Sequence, residues 1–288
     1  MYETNTIIYY YQVVRYMNVS SVAILVFDYA LTFSLEVSLI WKSKWSLPKV
    51  LFILSRYSTV FDVPLVLYYT ITPVVSVQHC SQLHAGVSWG TVLGISVAEA
   101  ILVMRTYALS GCKRSVLIIF TSIWAAGVTA TIILVALFVR SAVYELPPLG
   151  TPGCFLAAAN KAEVVLPFVI VLLNDTAIVA YTLYLGIRNY RHARTPLVVT
   201  LYRDGITYYV FLCIISLLNV FMLLDGMILP RRALAQLFNT FLRVMHSVLS
   251  TRIILHIRDV EQKNFESEHA PISAVRFNHG DLGIATDP

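Results

Sequence analysis

The chain has 288 residues, 58% of them hydrophobic and 13% charged, with a formal net charge of +5, a mean hydropathy of +0.72 and a pI near 9.0. Soluble domains carry about 25% charged residues, so this chain supplies about half the polar side chains that a water-facing surface needs. That excludes a soluble enzyme, a disordered chain and a nucleic-acid-binding module, and four cysteines are too few for a disulfide scaffold. An all-α polytopic membrane protein, solvated by the lipid bilayer, is what remains.

A hydrocarbon core of about 30 Å takes roughly 20 apolar residues in a helix that rises 1.5 Å per residue. Taken in order, such runs fall at 19–40, 50–77, 85–108, 116–139, 162–187 and 205–229. A seventh, 233–257, is weaker because it carries Arg243, His246 and Arg252. The expected architecture is a seven-helix transmembrane bundle over 19–257; the rival count is six spans with the last segment lying on the membrane surface. Residues 1–18 are Tyr-rich and nearly uncharged, without the basic start and cleavage site of a signal peptide, and read as a short extracellular segment. Residues 258–288 turn acidic and read as a short helical extension followed by a flexible cytosolic tail.

Orientation follows from the basic residues. With the N-terminus outside, the inner segments hold Lys42, Lys44, Lys49, Lys113, Arg114, Arg188, Arg191, Arg194, Arg203, Arg258, Lys263 and Arg276, twelve in all. The outer segments hold five: Arg15, Arg140, Lys161, Arg231 and Arg232. Because positive loops stay cytoplasmic, the expected topology is N-out, C-in. Cys80 and Cys154 then share the outer, oxidising side, while Cys112 faces the cytosol and Cys213 sits within the sixth helix. A Cys80–Cys154 disulfide is the expectation, with two free thiols as its alternative.

Several side chains shape the bundle. Gly86, Gly90, Gly94 and Ala98 recur every four residues along the third helix, a strip of small residues that suits close packing inside the bundle or at a dimer face. Pro64 and Pro167 remove backbone donors inside the second and fifth helices and should open space there. Asp204, just before the expected start at Gly205, would cap the sixth helix.

Ionisable residues at membrane depth are costly, so each needs a partner or a role. Ser21, Asp28, Thr32 and Glu36 form one polar stripe on the first helix. Asp28, Arg56, Asp62, Glu99, Asp175 and Asp225 are the candidates for a buried polar network or a ligand pocket. Asp62 and Asp175 fall nearest the midplane, where Arg56 or Arg243 could neutralise them. Glu36, Trp41, Trp45, Arg105 and Arg252 lie near the cytoplasmic ends and read as interface anchors.

Catalysis lacks its usual signatures. No HExxH pair, GxSxG elbow, phosphate loop or dinucleotide fingerprint is present, and His246 and His256 lie about 15 Å apart along one helix. The expectation is a protein that is not an enzyme, with no metal and no cofactor. The last two spans contain no lysine, so a retinal Schiff base is excluded.

The stretch 16–62, with FDYALTF, Glu36 and WKSKWSLPKVLFILSRY in that order, resembles a fungal family known as domain of unknown function 6533. The resemblance is carried by Asp28, Tyr29, Leu31, Thr32, Glu36, Trp41, Trp45, Leu51, Phe52, Arg56 and Tyr57. Downstream, Arg105–Leu109, Gly153–Cys154, Arg203–Gly205 and Arg252–His256 are also similar to that family. It implies a seven-helix integral membrane protein with no established biochemical role.

The topology is receptor-like, yet Met104 stands where the largest class of G-protein-coupled receptors has an acidic residue, and the seventh helix has no Asn-Pro-x-x-Tyr. The expected function is a plasma-membrane sensor of a small or lipophilic ligand that engages a cytosolic signalling protein. An ion- or proton-coupled transporter and a structural subunit are the alternatives.

Overall fold

The structure, a computed structural model, describes residues 2–72, 76–145, 153–190, 196–225 and 231–268. Helix α1 (Tyr2–Glu36) ends in a π-helical turn, Val37–Trp41, and a short loop leads to α2 (Leu47–Ile71). Pro48 stands in the first turn of α2, where its missing N–H costs nothing. Helix α3 (Val77–Leu109) starts at Ser76, whose side chain accepts from the His79 amide, and α4 is Arg114–Ser141. A two-stranded antiparallel hairpin, β1 (Val143–Glu145) and β2 (Phe155–Ala158), precedes α5 (Lys161–Tyr190). Helices α6 (Pro196–Asp225) and α7 (Asn239–Glu268) follow, with a 3₁₀ turn at Arg231–Gln236 between them.

Six helices, α1 to α6, are long and apolar enough to cross a membrane. Their outward faces carry Phe27, Phe61, Ile118, Ile187 and Phe221, each at least 60% exposed. Such a surface is stable against hydrocarbon and prohibitive against water. The chain is an integral membrane protein.

Helix α7 differs, and its position explains its weak hydropathy. It packs against α1, α2, α3 and α6, and every residue from 242 to 251 is buried. A helix enclosed on all sides by other helices meets little lipid, so it tolerates Arg243, His246, Ser247, Ser250 and Thr251. It is not a segment lying on the outside of the bundle.

At one end of the bundle Cys80, at the start of α3, is disulfide-bonded to Cys154, just before β2, with Cα atoms 5.6 Å apart. The preceding Gly153 has φ +101° and sits where a Cβ would lie 3.1 Å from the Thr70 carbonyl oxygen, so glycine is required there on both counts. Its amide donates to the Thr72 carbonyl, fixing the hairpin over the end of α2. The expected result of non-reducing peptide mapping is a Cys80–Cys154 linked pair. Cys154→Ser should lower the melting temperature by the equivalent of about 2–4 kcal/mol; two alkylatable thiols in the native protein would refute the bond.

Three expectations shift. The first helix starts at Tyr2 rather than near residue 19; at 35 residues it is about 50 Å long, several turns longer than a hydrocarbon core. The sixth helix starts at Pro196, so Asp204 and Gly205 lie inside it and Asp204 is not its cap. Proline suits a first helical position because its lost donor is one the helix leaves free anyway. The tail beyond 268, with His269, Arg276 and His279, and the segment 191–195, with Arg191, His192 and Arg194, lie outside the described residues.

Candidate functional site

The polar stripe of α1 is buried along its length: Asn18, Ser21, Asp28, Thr32 and Glu36 are each less than a tenth exposed. Arg56 of α2 lies across it. Its Nε pairs with Glu36 Oε2 at 2.6 Å and its Nη1 with Asp28 Oδ2 at 3.5 Å. Its Nη2 donates to Thr32 Oγ1 at 2.7 Å, and its guanidinium covers the Tyr29 ring at 4.1 Å. The Tyr57 hydroxyl and the Trp41 indole both donate to Glu36 Oε1, at 2.6 and 3.0 Å. From α7, Arg252 Nε reaches Asp28 Oδ1 at 2.5 Å. Two carboxylates thus meet two guanidiniums, and the cluster is neutral. Beside it, Lys49 donates to the Trp41 and Ser43 carbonyls and Arg258 to the Leu39 carbonyl and Ser43 hydroxyl, pinning the α1–α2 turn.

Toward the hairpin end, α2 and α7 are stitched by small hydroxyls. Ser55 and Ser250 lie 3.3 Å apart, Thr59 and Ser247 3.4 Å, and Ser247 donates to the Ser55 carbonyl at 2.8 Å. Above that seam Arg243 Nε pairs with Asp62 Oδ2 at 2.7 Å, while its Nη2 donates to Ser58. This pair explains the glycine strip of α3. A Cβ on Gly94 would lie 1.9 Å from Arg243 Nη2, and one on Gly90 2.7 Å from the Asp62 Cβ. The strip admits a buried ion pair, whereas Gly86 faces open space.

A third cluster joins α3, α5, α6 and α7. Ser216 donates to Asp175 Oδ2 at 2.6 Å, and His246 Nε2 lies 3.5 Å from the same oxygen. Asn174, next to Asp175, reaches Glu99 Oε1 at 3.5 Å. Gly127 of α4 makes room for Asn174, whose amide nitrogen would stand 3.0 Å from a Cβ there. Among the described residues, then, the imidazole lies against Asp175, and Glu99 is reached by the Asn174 amide.

Glu99 and Gly127 of this cluster line a cavity of about 270 Å³, just below the roughly 300–1,000 Å³ usual for small-molecule sites. On α3 it is lined by His84, Val87, Ser88, Thr91, Val92, Ile95, Ser96 and Glu99, one face at spacings of three and four. Asp62 and Arg243 stand at its floor, and Pro167 borders it from α5. Its upper wall has an aromatic collar in which His84 meets the rings of Tyr69, Phe138 and Tyr144 at 5.6, 5.8 and 5.3 Å. Tyr144 lies on β1, and its burial pushes the phenol above its usual range, so it serves there as a neutral ring. Residues 156–159 of the hairpin, Lys161 and Glu163 form the rim.

The sequence-derived residues therefore separate. Asp28 and Arg56 belong to the neutral cluster, Asp62 to the Arg243 pair, and Glu99 and Asp175 to the third group; Arg56 neutralises neither Asp62 nor Asp175. Asp225 ends α6 and is half-buried. Three of the expected interface anchors make contacts inside the bundle. Glu36 is fully buried, and Arg105 is 7% exposed with its guanidinium over the Tyr209 ring. Arg252, with its side chain 37% exposed, is turned inward onto Asp28. Trp41 and Trp45 stay exposed, Trp41 while bonded to Glu36. Not foreseen were Lys49 and Arg258 as turn pins, Tyr29 and Tyr57 in the network, and His84; each is polar at a position with ordinary helical spacing, so only the partner reveals it.

No curated protein matches the chain. Residues 16–61 match the model of a family of unknown function, DUF6533, and that span holds Asp28, Tyr29, Thr32, Glu36, Trp41, Lys49, Arg56 and Tyr57. The matched segment is thus the α1–α2 unit, whose polar residues, with Arg252 of α7, build the neutral buried network.

Proposed function

We propose that the protein is a receptor-like sensor that spans the membrane seven times, N-terminus outside, in the plasma membrane. A small lipophilic ligand enters at the hairpin end and alters contacts with a cytosolic partner at the lysine-bearing end. The observation that carries this reading is the blind end of the cavity. Its lining reaches Asp62, Glu99 and Arg243 and stops; beyond them lie the Ser55–Ser250 and Thr59–Ser247 seam, the Arg56 network and a cluster of Leu39, Ile40, Phe52, Ile101, Ile254 and Leu255. A pocket sealed on one side suits recognition, whereas a transporter would have to dismantle that seal in each cycle. The oxidised Cys80–Cys154 pair and the basic α1–α2 turn at opposite ends support the orientation.

The test uses Cys112, an exposed free thiol at the α3–α4 turn. With Cys213→Ser as background, Cys112 carries an environment-sensitive fluorophore in reconstituted vesicles and 1-octanol is the probe. The expected result is a saturable signal that Thr131→Trp, which fills the cavity, abolishes, with no ion or proton flux above protein-free vesicles. Flux that disappears in Asp62→Asn and Asp175→Asn would overturn the sensor in favour of a transporter.

A further inference from the structure

Resting on that reading of the cavity, we propose that its ligand is a small amphiphile bearing a protonated amine, with the ammonium on Glu99 and the apolar tail directed toward the hairpin end. The charges on the floor have a definite sign. Asp62 is matched by Arg243 and the Asp28–Glu36 cluster by Arg56 and Arg252. Asp175 has His246 beside it, whereas Glu99 has the Asn174 amide and, among the described residues, no cation within salt-bridge distance.

Glu99 is 3% exposed, lines the cavity and has the 3.5 Å contact from Asn174 as its hydrogen bond. Asp62 Oδ1, also buried at the cavity, has no hydrogen-bond partner among the described residues. Two carboxylate oxygens at the floor are thus open to a donor. An ammonium brings three donors and the missing charge in one group, and charge-assisted bonds of this kind are about twice as strong as neutral ones.

An anionic head is disfavoured by the same geometry. Arg243 already spends Nε on Asp62 and Nη2 on Ser58, and an anion reaching Nη1 would sit beside the Asp62 carboxylate in a low-dielectric site. The walls supply the apolar half: Val92, Ile95, Val128, Val135 and Val171 line the path from Glu99 to the aromatic collar. Glu99 and His84 are 15 positions apart on α3, about 22 Å of helix, so the site is elongated and suits a chain.

The experiment compares three probes with one tail, octylamine, 1-octanol and octanoate, by thermal shift and competition on the full-length protein in lipid nanodiscs. The expected order is octylamine tighter than 1-octanol by about tenfold, with octanoate weakest. Glu99→Gln, which keeps shape and removes charge, should bring octylamine and octanol to equal affinity. Octylamine binding no better than octanol to the wild-type protein, or an amine preference that survives Glu99→Gln, overturns the inference and leaves the cavity reading standing. Failure of all three probes to bind overturns both. The wild-type ranking needs no variant, so it decides even where Glu99→Gln does not fold.

Discussion

Gly94→Ala is expected to be among the most damaging single substitutions in the chain, although it adds one methyl group. The new Cβ would occupy a point 1.9 Å from Arg243 Nη2 and 2.0 Å from its Cζ. A guanidinium at a chain end can usually swing aside. This one is 2% exposed and held by Asp62 and Ser58. Displacing it breaks a buried ion pair, which costs about 3–5 kcal/mol when one partner is lost. The matched control is Gly86→Ala on the same helix, where nothing lies within 4 Å of the added carbon; it should be neutral or stabilising by up to about 1 kcal/mol through helix propensity. Melting temperatures of the two variants in one detergent settle the matter. Equal shifts would mean that the glycine strip does not exist to admit the Asp62–Arg243 pair.

Arg56→Met should be comparably severe, by about 3–5 kcal/mol, because it leaves Glu36 fully buried without its cation. Arg56→Lys should not rescue it. One ammonium cannot serve Glu36, Asp28 and Thr32 together while lying flat on the Tyr29 ring, as the planar guanidinium does. Arg56→Met combined with Glu36→Met removes the stranded charge with its partner and should recover a large part of the loss. Unfolding in detergent followed by tryptophan fluorescence provides the readout, since Trp41 donates to Glu36. A double variant no more stable than Arg56→Met alone would show that charge balance is not what holds the α1–α2 unit together.

The two variants mark where sequence reasoning reaches and where it stops. Spacing alone aligned Ser21, Asp28, Thr32 and Glu36 on one helix face, and burial follows that face from Asn18 to Glu36. The cysteine pair was readable for a similar reason: two thiols on one side of the membrane have few partners to choose between. The glycine strip was visible too, but what it admits was not. A period of four identifies a face without naming the neighbour, and here the neighbour is Arg243, far away along the chain. Depth along the helix placed Glu36, Arg105 and Arg252 near one end but did not disclose their partners: the ion-pair network for Glu36 and Arg252, the Tyr209 ring for Arg105.

Length, apolar content and the runs of roughly 20 residues determined by themselves that this chain lives in a bilayer, because hydrocarbon demands them locally, residue after residue. Which carboxylate meets which guanidinium, that the polar seventh helix runs down the centre, and that a pocket forms over Glu99 were decided by the tertiary structure. Those contacts join helices distant in the chain, and an ion pair is specified by distance in space, which no local pattern encodes.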